Sequence, residues 1–318
     1  MNPQELLEKE SLLSDDDILE IVLKAEQQMQ EAVEDCINGL LNPLIIKGPP
    51  GVGKTETIKI MTKKAGVKST DILSSTFEKP ADGQPSYPYE CTKLITVDGA
   101  LIRGSDYAKW ALVADLYANR NSGILTLDDN DGILQDVDAL SVIMQATEQS
   151  PDRTVKYVRA NSTHELQMYG VDPVFSVRTP LIILTNIDMK GHIAAANLLS
   201  PGSKAPKIKK AYISRWEAMV DRGTYIDLKM NSPRSIRVYC ENKIISQNIL
   251  TKSKFLEGLH GRSLKKEEEK EVLRWIRHNQ AKLADPLTLR TYNKVAAMLL
   301  QRKHDWQKSA EVRYLRAI

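Results

Sequence analysis

The sequence contains few of the residues that mark a secreted, membrane-bound or metal-binding protein. Its three cysteines, Cys36, Cys91 and Cys240, are too few and too widely separated for a disulfide framework or a zinc pattern. Its five histidines are equally scattered. No stretch approaches about 18 consecutive apolar residues, and the acidic N-terminal region does not resemble a signal peptide. We therefore expect a soluble, cytoplasmic protein with no membrane partner.

The sequence also lacks a strong excess of one charge. Its 44 Lys and Arg residues and 41 Asp and Glu residues give a formal net charge of +3. This near balance gives no global electrostatic reason to expect nucleic-acid binding. The hydrophobic fraction of 42% is ordinary for a globular protein, and 318 residues are enough for about two domains.

Residues 44–62 carry the most informative pattern in the chain. An apolar run, Leu44-Ile45-Ile46, leads into a glycine-rich loop that matches G-x-x-x-x-G-K-T, and Ile58 and Met61 follow at helical spacing. A strand, a loop and a helix in this order are the context in which the pattern indicates a nucleoside triphosphate. The glycines let backbone N–H groups converge on phosphate oxygens, and the helix N-terminus favours the same anion. The predicted ATP-binding residues are Gly48, Pro49, Pro50, Gly51, Val52, Gly53, Lys54 and Thr55.

Two of these residues have specific chemical roles in such a site. Lys54 is expected to neutralise the β- and γ-phosphates, and the hydroxyl of Thr55 is expected to ligate Mg²⁺. Polar residues at the ends of two later apolar strands are expected to complete the site. Asp128 would hold Mg²⁺, Asp129 would orient or deprotonate the attacking water, and Asn186 would lie between this acidic pair and the γ-phosphate.

The remaining pattern predicts an α/β protein in two parts. An amphipathic helix begins near Asp15 and ends at Asn38-Gly39, and strands then alternate with helices up to residue 231. Residues 153–159 and 174–177 are predicted to form a hairpin. Strand signals stop after Ser232, where three helical segments at 233–249, 264–283 and 287–315 are expected. We therefore predict an N-terminal helix in residues 1–40, a parallel-sheet core in 41–231 and a small all-α lid in 232–318.

Five segments carry a resemblance to a known family. They are Gly48–Thr55, Leu127-Asp128-Asp129, Leu184-Thr185-Asn186, Ile213-Ser214-Arg215 and Pro286-Leu287-Thr288-Leu289-Arg290. They occur in the order found in AAA+ ATPases, which the chain resembles. The resemblance covers about residues 15–305 and extends to the compact AAA+ proteins that tailed-phage genomes often carry, which would place the chain in a host cytoplasm. It implies that Lys54 and Thr55 belong to Walker A, Asp128 and Asp129 to Walker B, and Asn186 to sensor 1. It further implies that Arg215 is an arginine finger and Arg290 is sensor 2. AAA+ proteins usually act as rings, most often hexamers, in which the finger enters the neighbouring subunit's site.

The chain departs from the family pattern at two places. Asp129 stands where the family usually has Glu, and its shorter side chain requires the water to lie closer or hydrolysis to be slower. The link between Ser214 and the strand at Tyr225 is also longer than usual. Arg222 therefore competes with Arg215 for the finger role. A planar guanidinium suits the charge that spreads over the phosphoryl oxygens in either case.

Three segments bear on what such a motor would act on. The loop at 99–107 and the hairpin tip between Ala160 and Pro173 are candidate pore loops. The loop from Ser200 to Lys210 is the one concentrated basic patch, with lysines at 204, 207, 209 and 210, and it favours DNA. Three hypotheses follow: a ring ATPase in DNA replication, recombination or genome handling, a protein-remodelling ATPase, or an ATP-dependent switch that binds a partner.

Overall fold

The computed structural model describes most of the chain. The described residues are 10–66, 69–71, 94–98, 112–117, 120, 124–128, 131–150, 153–158, 171–197, 207–302 and 304–316.

Within the described ranges, eight strands lie in two sheets. They are β1 Leu44–Lys47, β2 Ser69–Asp71, β3 Leu94–Asp98, β4 Ile124–Asp128, β5 Arg153–Lys156, β6 Val174–Val177, β7 Leu181–Thr185 and β8 Thr224–Asp227. Six strands form a parallel sheet in the order β2-β3-β4-β7-β1-β8. Strands β5 and β6 form a separate antiparallel pair, as the sequence predicted. The predicted α/β class with a parallel sheet is therefore confirmed.

The three central strands of the sheet are apolar and buried along most of their length. All five residues of β7 are buried, as are the first four of β4 and the first three of β1. Such continuous apolar runs are typical of parallel strands covered on both faces. In the register, Lys47 pairs with Thr185 and Leu127 pairs with Ile183. The carboxyl ends of β1, β7 and β4 therefore lie side by side at one edge of the sheet.

Helices flank the strands and make up the C-terminal part of the chain. They include α1 Asp15–Ile37, α2 Lys54–Lys64, α3 Val137–Ala146, α4 Met189–Asn197, α5 Lys207–Arg222, α6 Pro233–Gln247, α7 Lys254–His260, α8 Lys266–Asn279, α9 Leu289–Gln301 and α10 Trp306–Tyr314. No helix among the described residues is both long and apolar enough to cross a membrane.

The chain divides into two compact units. The first, which we call the sheet unit, comprises Gln27–Lys47 and Lys54–Asp227. The second, the helical unit, comprises Met1–Glu26, Gly48–Gly53 and Leu228–Ile318. The core of the sheet unit is formed by strand residues such as Leu125 and Ile183 together with Leu140 of α3 and Trp216 of α5.

The helices differ from the sequence prediction in several places. No helix was predicted between Asn186 and the strand at Thr224, where α4 and α5 lie. Residues 207–210, predicted as the end of a basic loop, form the first turn of α5, which fills most of the long link before β8. Helix α7 was not predicted, because it is only seven residues long. The predicted helix over 287–315 is two helices, because α9 ends at Gln301 and α10 begins at Trp306.

Candidate nucleotide-binding site

The glycine-rich loop, Gly48–Gly53, connects β1 to α2 in a conformation that requires glycine. Gly51 and Gly53 have φ angles of +70° and +97°, which side chains of other residues strongly disfavour. A Cβ atom on Gly51 would also lie 2.8 Å from the Cβ of Thr288. The N–H of Leu289 donates a 3.2 Å hydrogen bond to the carbonyl of Gly51. The loop is thus packed directly against the start of α9 within the helical unit.

The first two residues of α2 each hydrogen-bond to a side chain at the carboxyl end of a central strand. The ammonium of Lys54 donates to Oδ1 of Asn186, which follows β7, at 3.0 Å. The hydroxyl of Thr55 donates to Oδ2 of Asp128, the last residue of β4, at 2.7 Å. Lys54 is only 6% exposed. Within the sheet unit, the fold therefore brings together four of the residues that the sequence singled out.

The pair formed by Thr55 and Asp128 has the chemistry of a magnesium site. Both groups offer oxygen atoms, which Mg²⁺ prefers, and Mg²⁺ commonly binds through one or two protein ligands plus phosphates and water. Among the described residues, no group of three or more His, Cys, Asp or Glu side chains lies close enough together to form an all-protein metal site. The available ligands therefore fit a metal ion that is shared with a bound phosphate.

A further pair of residues, which the sequence analysis did not identify, fixes the backbone around Asn186. The buried hydroxyl of Thr185 donates to Oδ1 of Asp131 at 2.5 Å and accepts a hydrogen bond from the N–H of Ile187 at 3.0 Å. These two bonds involve the residues directly before and after Asn186 in the sequence. They hold this part of the backbone against the segment that follows β4. Two features of the sequence could have pointed to this pair. One is Asp131, the third acid in Asp128-Asp129-Asn130-Asp131, and the other is Thr185, the threonine before Asn186.

The two candidate finger residues lie on the same helix. Arg215 and Arg222 are seven residues apart on α5, about two turns. Nε of Arg215 donates to the hydroxyl of Ser141 at 3.3 Å, and a terminal nitrogen of Arg222 donates to the carbonyl of Met144 at 3.3 Å. Both side chains are therefore held against α3 in this single chain, and both remain candidates.

Arg290 is the second residue of α9 and is exposed. An arginine at this position could cap α9 or pair with Asp285, but other residues fill both of these structural roles. Thr288 caps α9 by accepting a hydrogen bond from the N–H of Thr291, and Asp285 pairs with Lys294 at 3.8 Å. Arg290 directly follows Leu289, which is bonded to the glycine-rich loop.

Several predicted residues lie outside the described part of the chain. These are Asp129, the candidate pore loop at 99–107, most of the hairpin tip and Lys204. The lysines at 207, 209 and 210 are described only as backbone of α5.

Comparisons with models of protein families and with curated proteins give no match to this sequence. The fold and the site themselves define an α/β protein with a Rossmann-like parallel sheet, whose candidate site lies at the carboxyl ends of the strands. This edge is where open parallel sheets generally bind their ligands.

Proposed function

We propose that this chain is a Mg²⁺-dependent ATPase of the P-loop class and of AAA+ type. The observation that carries the proposal is the pairing of Lys54 with Asn186 and of Thr55 with Asp128 at the edge of the parallel sheet. If the match to the Walker A pattern were accidental, these four side chains would not be expected to form two hydrogen-bonded pairs.

In this proposal each residue has a distinct task. The N–H groups of the glycine-rich loop and the ammonium of Lys54 bind and orient the triphosphate. Thr55 and Asp128 would hold Mg²⁺, which supplies Lewis-acid stabilisation of the charge on the phosphoryl oxygens. Asn186, fixed by the bonds of Thr185, would orient the attacking water together with Asp129, which would accept its proton.

The central test is nucleotide binding with a matched lysine control. Lys54→Ala should weaken MgATP binding by about 30-fold or more, because it removes a charged hydrogen-bond donor to phosphate worth about 2–3 kcal/mol. Lys64→Ala removes an exposed lysine from the last turn of the same helix and should leave the affinity unchanged. Isothermal titration with ATP and Mg²⁺ measures both. Absence of ATP binding by the unaltered chain would refute the proposal.

The ring assembly and the role in DNA replication, recombination or genome handling belong to the same proposal. They are supported by the resemblance of the ordered motifs and by the basic segment that leads into α5. Single- or double-stranded DNA should then stimulate ATP hydrolysis at low salt, where phosphate contacts are strongest. If DNA has no effect, the alternative is a protein-remodelling ATPase or a switch, and an Asp129→Asn variant that binds ATP without turnover should retain its protein partner.

A further inference from the structure

A buried ion pair lies beside the glycine-rich loop. Lys243 of α6 and Glu26 of α1 are 8% and 7% exposed, and the ammonium is 2.5 Å from Oε1 of Glu26. Both residues belong to the helical unit, as does the loop. Lysine and glutamate are rarely buried this far unless they are paired.

The ammonium of Lys243 is close to the loop backbone. A Cβ atom on Gly53 would lie 4.0 Å from Nζ of Lys243. Gly53 directly precedes Lys54, and it is one of the residues whose N–H groups are expected to bind phosphate. A second ammonium therefore lies beside the part of the loop where negative charge is expected.

Tyr239 completes the surroundings of this pair. It lies one turn before Lys243 on α6, and the ammonium is 5.0 Å from the centre of its ring. Burial, together with the nearby Glu26 carboxylate, raises the pKa of Tyr239. Lys243 is the only charged partner of Glu26 among the described residues.

Stability alone is a poor explanation for this arrangement. Burying two charges costs several kcal/mol of desolvation per ion, and apolar residues of similar volume often serve as well. A buried carboxylate next to an anion-binding loop would also repel phosphate unless a cation lay between them.

We propose that Lys243 is a second cationic residue of the nucleotide site, which contacts the polyphosphate bound by the glycine-rich loop, and that Glu26 is its counter-ion in the nucleotide-free chain. This inference rests on the proposed ATP-binding function and adds a residue that the sequence motifs do not include. Nucleotide binding would move the ammonium of Lys243 away from Glu26 and toward phosphate. The negative charge of Glu26 competes with phosphate for this ammonium and therefore weakens nucleotide binding.

The test compares three variants with opposite expected effects. Lys243→Met should weaken MgATP and inorganic tripolyphosphate binding by about tenfold, because one charged hydrogen bond is lost. Lys243→Arg, which keeps the charge, should restore most of that loss. Glu26→Gln should instead tighten binding of both probes by several fold, because the ammonium is released from its competing partner. Adenosine, which has no phosphate, should bind equally to all of them.

A matched control uses another lysine of the helical unit. Lys294 is exposed and pairs with Asp285, so Lys294→Met removes the same charge from the same unit and should leave binding unchanged. Because single variants leave one buried charge without a partner, folding is checked by thermal melting. The double variant Glu26→Gln with Lys243→Met removes both charges and should still show weakened tripolyphosphate binding.

The outcomes separate this inference from the proposed function. If the unaltered chain does not bind ATP, both fail. If it binds ATP through Lys54 but Lys243→Met and Glu26→Gln bind tripolyphosphate like the unaltered chain, the pair is purely structural and this inference alone is wrong. A loss of adenosine binding in Lys243→Met equal to its loss of ATP binding would also overturn the phosphate contact.

Discussion

At the residue scale, the hydrogen bond from Thr55 to Asp128 provides a direct test of the magnesium site. Thr55→Val preserves the shape of the side chain and removes the hydroxyl. It should lower the affinity for ATP by about tenfold when Mg²⁺ is present, because a metal ligand and the bond to Asp128 are both lost. Titrations with Mg²⁺ and with a chelator measure the difference.

The conservative variant Thr55→Ser serves as the control, since it keeps the hydroxyl and should bind MgATP nearly as well as the unaltered chain. With the chelator present, all three proteins should have similar affinities. Equal MgATP affinity in Thr55→Val and the unaltered chain would exclude a metal role for this residue.

The contacts of the candidate site were predictable where a motif fixed both the residue and its strand. Asp128 and Asn186 end apolar strands, and the ends of parallel strands meet at one edge, so their approach to Lys54 and Thr55 followed from the order of the sequence. The contacts of Asp131 and Lys243 did not, because they depend on a loop path and on packing between distant segments. A lone lysine in a helical pattern carries no sign that it is buried.

At the scale of elements, regular patterns gave the correct strands and most of the long helices, whereas α5 and the short helices α4 and α7 were not predicted. The apolar runs of β1, β4 and β7 were identified because strands covered on both faces need no alternation. Helix α7 has a capping Ser253 and a C-terminal Gly261, but seven residues are too few to show a 3.6-residue period. The break after Gln301 lies in a polar stretch that contains no proline or glycine to mark it.

The packing of the glycine-rich loop against α9 can be tested with a matched pair of glycines. Gly51 and Gly261 belong to the helical unit and have φ angles of +70° and +73°. A Cβ on Gly51 would collide with Thr288, whereas one on Gly261 would meet nothing within 4 Å. Both alanine variants should lose about 1 kcal/mol from the strained backbone. Gly51→Ala should lose about 1–3 kcal/mol more from overpacking.

Urea denaturation measures this difference in the free energy of unfolding. Since the shared backbone cost cancels between the two variants, the remainder reports the contact between the loop and α9. Equal losses in Gly51→Ala and Gly261→Ala would show that the loop is not held against Thr288 in solution.

At the scale of the whole molecule, one carboxylate is expected to make stability depend on pH in the acid range. Hydrogen bonds from Arg262, at 2.7 and 2.8 Å, lower the pKa of Glu268 from its ordinary value of 4.5 to about 2. Because the folded pKa is depressed, this stabilisation is present above pH 4.5 and is lost as the pH falls toward 2. Since the pair is partly solvated, about 1 kcal/mol is expected.

The measurement compares the free energy of unfolding at pH 7 and pH 3. Glu268→Gln should be less stable than the unaltered chain at pH 7, and the difference should shrink at pH 3. Glu267→Gln, an exposed neighbour in the same helical turn, is the control and should show little difference at either pH. A constant difference for Glu268→Gln across this range would contradict the assignment.

The proposed ring can be tested by mixing inactive subunits. If each active site combines the Lys54 of one subunit with an arginine of its neighbour, the ATPase rate should rise more steeply than protein concentration. Lys54→Ala and Arg215→Ala subunits should each be inactive alone. Their mixture should regain part of the activity, because a Lys54→Ala subunit still supplies its arginine to a neighbour whose phosphate-binding residues are intact.

Arg222→Ala provides the decisive comparison, because Arg222 lies on the same helix and is likewise bonded to α3. If Arg215 is the finger, Arg222→Ala subunits should retain activity alone. Recovery in mixtures made with Arg222→Ala, together with none in mixtures made with Arg215→Ala, would move the finger to Arg222. A rate strictly proportional to concentration, with no recovery in either mixture, would mean that each chain hydrolyses ATP with its own residues, because activity from a shared site must depend on assembly.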